Sequence, residues 1–184
     1  MSDDQVLDSS PIPSQVSVLF VCLGNICRSP MAEAVFRNIS KYPANPLIAK
    51  VDSAGTGAYH VGSCPDPRTI KVLRKNGIED YEHYARKVHA EDFDTFDWIF
   101  AMDADNLDDL KSMRNRARSR KGKAGSQGAS TKEPKIMLFG DFGGRKNEEV
   151  IDPYYGADNG FDVAYEQMVR FSNGFIKHLE NSKI

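Results

Sequence analysis

Cys22 and Arg28 stand at the two ends of the run CLGNICR, with Ser29 and Pro30 directly after it. A guanidinium is a planar fork of donors that matches two oxygens of a phosphoryl group at once. A thiolate is a strong nucleophile. Held together, the two groups could bind a phosphate monoester and attack its phosphorus. The spacing alone carries little weight, because such a pair arises readily by chance. A buried cysteine at a strand end, followed by a surface arginine, is the bland alternative.

The flanking residues decide between these readings. VSVLFV over 16–21 is apolar on both faces, as a buried parallel strand should be. An amphipathic helical pattern runs over 30–41. Strand, tight loop and helix start in that order make an anion site, since loop N–H groups turn inward beside a helix N-terminus. Gly24 and Asn25 tolerate the left-handed backbone such a loop needs. Ser29 suits an N-cap and Pro30 the first helical position. The positive field of such a loop favours a thiolate at Cys22. The Ser29 hydroxyl is placed to bond its sulfur.

A departing phenolate needs a proton, so a carboxylic acid should come from elsewhere in the chain. EEVIDPYYG, over 148–156, offers Asp152 in an Asp-Pro turn walled by Tyr154 and Tyr155. By itself this string is only a surface turn.

The elements that must position these residues can be read from periodicity. Further strands are expected over 47–52, 97–102 and 135–139. Helices are expected from a start at Asp66-Pro67 through 76, and over 91–96, 103–111 and 161–179. Strands alternating with helices predict an α/β parallel sheet with helices on both faces, its site at the carboxyl ends of the strands. Residues 1–15 read as a disordered tail, and 16–184 as one domain. Residues 113–133 read as a flexible basic insertion. Six cations lie between Arg114 and Lys123, followed by AGSQGAST, and no stable helix or strand is expected. A solvated loop is the plain account of it, and a patch for an anionic membrane surface or RNA the sharper one.

The net charge of -2 gives no general attraction to nucleic acid or membrane. Three cysteines do not make a disulfide framework, the acidic N-terminus has no secretory pattern, and no run is long enough to span a bilayer. The expected setting is a reducing cytoplasm. The histidines show no ligand spacing, and Asp103, Asp105, Asp108 and Asp109 read as acids favouring a helix dipole, so no metal site is expected.

The string CLGNICRSPMAEAVF resembles the low-molecular-weight protein tyrosine phosphatases, also known as eukaryotic-type acid phosphatases. DPYY is similar to that family's second signature, and the resemblance runs from about Val16 to Leu179. It implies a four-stranded parallel sheet with the phosphate loop between the first strand and first helix. It implies a monomer without metal or cofactor, hydrolysing phosphotyrosine proteins or small aryl phosphates to inorganic phosphate. Cys22 would be the nucleophile, forming a phosphocysteine, with Arg28 the phosphate clamp and Asp152 the general acid and later base. Leu23, Gly24, Asn25, Ile26 and Cys27 would form the loop, supported by Ser29, Ser53 and His83. Cys27 would trap an oxidised Cys22 as a disulfide. Tyr59, Tyr154 and Tyr155 would line the cleft. Rival readings are an arsenate reductase relaying through Cys27 and Cys64, a phosphotyrosine-binding module without turnover, and a tether built on the basic insertion.

Overall fold

The structure, a computed structural model, describes residues 15–123, 133–155 and 159–182, with 121–123 described in their backbone only. The expected tail over 1–14 and the second half of the basic segment, 124–132, lie outside these residues. The elements in chain order are β1 (Val16–Cys22), α1 (Arg28–Ser40), β2 (Ile48–Gly55), α2 (Pro67–Lys75), α3 (Asp92–Thr95), β3 (Trp98–Ala101), α4 (Ala104–Lys123), β4 (Lys135–Leu138) and α5 (Gly160–Asn181). Single-turn 3₁₀ segments cover Phe139–Gly143 and Pro153–Tyr155.

The four strands pair in parallel in the order β2-β1-β3-β4. Parallel strands with helical crossovers bury both faces, and β1 shows this residue by residue. Val18, Phe20 and Cys22 face one core with α1 and α5, and Leu19 and Val21 face a second with α3 and α4. The first core is aromatic: Phe20 meets Phe139 at 4.9 Å between ring centroids, and Phe100 meets Phe175 at 4.8 Å. Edge contacts of this kind add to the burial of large rings and fix β1 against the Phe139–Gly143 segment and β3 against α5. The carboxyl end of β1 is thereby rigid where its last residue, Cys22, enters the loop.

Three local expectations are corrected. Helix α1 begins at Arg28, with Cys27 at the N-cap and no side-chain cap. Ser29 therefore lies inside the first turn and Pro30 third in the helix, which frees the serine hydroxyl for another partner. Asn25 adopts the left-handed backbone, at φ 56°, but Gly24 does not. A Cβ on Gly24 would instead lie 3.0 Å from the His60 ring, so that glycine makes room for a neighbour. Helix α4 continues through Lys123, where no stable helix was expected beyond 111. Leu107, Leu110, Met113 and Ala117 keep one apolar face on the second core well past 111. Arginine and alanine are strong helix formers, and Arg114 and Arg118, one turn apart, both ion-pair with Glu133 ahead of β4.

Candidate active site

Cys22, Arg28 and Asp152 converge on one cleft of about 410 Å³ at the carboxyl end of β1. Leu23, Gly24, Ile26 and Cys27 form its floor, and Tyr59, Tyr154 and Tyr155 its walls. Asn25, Ser29, Ser53 and His83 lie behind the loop and hold it.

The Cys22 side is a chain of hydrogen bonds that starts from Glu33. Ser53 Oγ donates to the buried Glu33 carboxylate at 2.7 Å. Asn25 Nδ2 donates to Ser53 Oγ at 3.0 Å and to Ser29 Oγ at 2.9 Å. Both amide hydrogens are then committed, and Ser29 Oγ lies 3.0 Å from Cys22 Sγ and 3.3 Å from the Ala54 carbonyl, two partners that share its own hydrogen. The Asn25 backbone N–H lies 3.3 Å from the same sulfur. Asn25 Oδ1 accepts from the Arg86 N–H and from His83 Nε2, both at 2.9 Å. A left-handed asparagine with all its polar atoms engaged explains how a strained loop stays in one shape.

Arg28 is buried, and its fork spans three acceptors. Nη1 bonds the Asp103 carboxylate and the Val150 carbonyl, and Nη2 reaches Asp152 Oδ2 at 3.0 Å. Burial opposes a guanidinium charge, but Cys22, Asp103 and Asp152 outweigh it and hold the cation firmly protonated. Asp152 Oδ1 accepts the Tyr154 N–H, which closes the Asp-Pro turn. The Tyr154 and Tyr155 rings meet edge to face at 4.8 Å. Arg68, fixed by Asp66 at 2.8 Å, stacks over Tyr154 from behind. Burial pushes the Cys27 thiol up to about 12, helped by Asp66 and Cys22. Cys27 is thus a neutral thiol at ordinary pH, which separates it from an activated nucleophile.

Sequence reasoning missed four contributors. Asp103 was grouped with the helix-dipole acids, yet it clamps Arg28 and also caps α4 by accepting the Asn106 N–H at 2.7 Å. Glu33 anchors the network from α1, and burial raises its pKa against the bonds from Ser53 and Tyr81. Tyr81 donates to Glu33 at 2.9 Å. His60 lines the cleft beside Tyr59. An acid on the buried face of an amphipathic helix was the available signal for Glu33; nothing local marked Asp103 or His60.

Glu33, Asp52 and His83 place ligand-type atoms within 4.8 Å of one another, the arrangement among the described residues that comes nearest to a metal site. Arg37 pairs with Glu33 and Arg86 with Asp52, so the carboxylates already face cations. This set serves the loop rather than an ion. Among the described residues, no helix is long and apolar enough to cross a membrane.

Comparison with known proteins agrees with this geometry. The chain matches the sequence profile of the low molecular weight phosphotyrosine protein phosphatases over residues 17–183. It is 48% identical over 166 residues to the low molecular weight phosphotyrosine protein phosphatase of Schizosaccharomyces pombe, covering 89% of this chain and 97% of that one. Among solved structures, a protein tyrosine phosphatase from Entamoeba histolytica superposes with a TM-score of 0.73 at 34% identity, covering 92% of this chain and 100% of that one. A Drosophila arginine phosphatase superposes with the same TM-score at 36% identity, covering 88% and 96%. On sequence, topology and the placement of the Cys22 loop together, the chain belongs to the low molecular weight phosphotyrosine protein phosphatase family.

Proposed function

We propose that the protein hydrolyses phosphotyrosine and aryl phosphate monoesters through a phosphocysteine on Cys22, releasing inorganic phosphate. The observation that carries this reading is the meeting of a thiol, a buried guanidinium and a carboxyl group in one tyrosine-walled cleft. A phosphate dianion entering the loop competes with Asp152 and Asp103 for Arg28, and its oxygens take the fork and the loop N–H groups. The Cys22 thiolate attacks phosphorus, the Sγ–P bond forms and the P–O bond to the aryl group breaks. Asp152 passes its proton to the leaving phenolate. Water then attacks phosphorus, Asp152 takes back a proton, and Cys22 leaves as a thiolate stabilised by the Ser29 hydroxyl.

Tyr59 is 78% exposed and Tyr155 is 86% exposed, so both offer ring faces to an incoming aromatic ester. The three free thiols suit a reducing cytoplasm, and the reading is of a monomer without metal or cofactor. An arsenate relay is disfavoured, because Cys64 lines a separate surface pocket near Tyr84 rather than the Cys22 cleft. Turnover should be measured on matched peptides carrying phosphotyrosine, phosphoserine and phosphoarginine, and on aryl phosphates. Preference for phosphotyrosine and aryl esters is expected. A preference for phosphoarginine would move the substrate class, and absence of turnover on all of them would leave a binding module.

A further inference from the structure

The α3/α4 face carries a second concavity that the chemistry of Cys22 does not use. A groove of about 450 Å³ runs between α4 and the 87–93 segment. Val88, Phe93, Met113 and Ala117 form its apolar floor, with Val88 and Phe93 buried in the second core. Lys87 and His89 stand on one rim and Arg116 and Arg120 on the other, and Asp109 is the one carboxylate in its lining.

The arginines of α4 divide into two pairs one helical turn long. Arg114 and Arg118 are engaged by Glu133. Arg116, Arg120 and Lys87 have no ion-pair partner among the described residues. Among the described side chains, the helix therefore does not present an even basic stripe, as a membrane or RNA surface would use. It turns cations that lack a carboxylate partner toward a concave apolar floor, with Arg116 Nε bonded only to the Ser112 carbonyl. From Asp109 to Arg120 the groove follows α4 for roughly 16 Å, the span of about five extended residues. At one end lies Thr56, whose hydroxyl is buried without a hydrogen-bond partner, while its N–H bonds the Cys22 carbonyl at 2.9 Å.

We propose that this groove docks a short, extended acidic segment of a partner protein. An apolar side chain of the segment sits over Phe93 and Met113, and its carboxylates meet Arg116, Arg120 and Lys87. Charge complementarity, an apolar seat and a length matched to a short extended segment are the features that groove recognition of such a peptide uses. The site stands apart from the catalytic cleft, so its test does not depend on turnover.

The probe is a fluorescent peptide alternating glutamate and leucine, followed by anisotropy on the full chain, with a glutamate–serine peptide as control. Saturable binding of the leucine peptide is expected, with weaker binding of the control. Arg116→Gln with Arg120→Gln should weaken binding about tenfold, as loss of two partly screened charge contacts would. Ala117→Glu should abolish it by filling the seat with like charge. Arg114→Gln with Arg118→Gln should change it little. Hydrolysis of a small aryl phosphate by the Arg116/Arg120 variant should be unchanged, which reports an intact fold. Equal loss from the two arginine pairs, or equal binding of the two peptides, would make the surface a non-specific polyanion binder and overturn the proposal. Failure of both peptides to bind would also overturn it.

Discussion

The two halves of the Cys22 cleft are built by opposite means. The polar side chains of the 22–29 loop are buried: Asn25, Arg28 and Ser29 are at most 3% exposed, and each is held by named partners. The 148–155 segment is pinned at its base and open at its tip. Glu148 is gripped by Arg170 and Gln167, and Val150 is buried, while Ile151 and Tyr155 are exposed and the Asp152 side chain is half-buried. Binding a dianion demands N–H groups and a cation fixed in advance, because reorganising them during the reaction would spend the stabilisation they give. Delivering one proton demands only reach, and an exposed turn leaves room for a large phosphoprotein to approach. Preorganisation is concentrated where charge is held, and access where the leaving group departs.

The contrast is broken most severely at the nucleophile. Cys22→Ser should reduce turnover of aryl phosphates by on the order of 10⁴-fold or more, since the other thiol of the cleft, Cys27, is kept protonated by burial. Binding of a phosphate analogue should persist, because Arg28 and the loop amides are untouched. A variant within tenfold of the wild-type rate would exclude the phosphocysteine route.

The acid half should fail selectively. Asp152→Asn should lower kcat by roughly 10²–10³-fold for phenols of high pKa and much less for nitrophenols, because only the former need the proton. Rates across a series of leaving groups give the slope. A parallel loss throughout the series would assign the proton to another group.

Much of this division was legible in the sequence, and the reason is locality. The nucleophile loop is one contiguous string between an apolar strand and a helix, so strand, loop and arginine are read together. Asp152 is legible only through the likeness of DPYY to the family's second signature, since the Asp-Pro turn by itself reads as a surface turn. What the sequence hid is long-range: Asp103 reaches Arg28 across 75 positions, and Glu33 reaches Ser53 and Tyr81 across 20 and 48. Such pairs follow from sheet order, not from spacing. The length of α4 was misjudged for a different reason. Its apolar face narrows to Met113 and Ala117 beyond Leu110, and a run of arginines masks so thin a stripe.

Glu33 tests whether the rigidity of the buried half comes from its hydrogen-bond chain. Glu33→Ala leaves the Ser53 and Tyr81 hydroxyls without an acceptor, at a cost of about 1–3 kcal/mol. Thermal melting should therefore fall by several degrees, roughly 2–4 °C per kcal/mol for a chain of this size. Release of Ser53 also frees Asn25 and Ser29 to reorient, so the second step, departure of the Cys22 thiolate, should slow. Burst kinetics would show it as accumulated phosphoenzyme. Lower stability with an unchanged ratio of the two steps would give Glu33 a purely structural part.

The smallest effect is expected at the base of the acid half, where the sharpening comes from pH. Arg170 is 2.6 and 2.8 Å from the Glu148 carboxylate, and with Gln167 it holds that carboxyl down to about 2. An unfolded glutamate titrates near 4.3, so across the interval between the two values the unfolded chain binds the proton more readily than the folded one. The pair's contribution is thus complete above about pH 5 and is lost as pH falls through the interval toward 2. Glu148→Gln removes the charge and should make the protein modestly less stable at pH 6. The gap between wild type and variant should narrow at pH 3, as the wild type begins to lose the same interaction. Denaturant midpoints at the two pH values measure it, with other carboxylates common to both proteins cancelling in the difference. A gap that stays constant with pH would show that the ion pair does not secure the segment. In that case the burial of Val150 and the close fit of Gly140 against the Glu148 carbonyl hold the base of the acid loop instead.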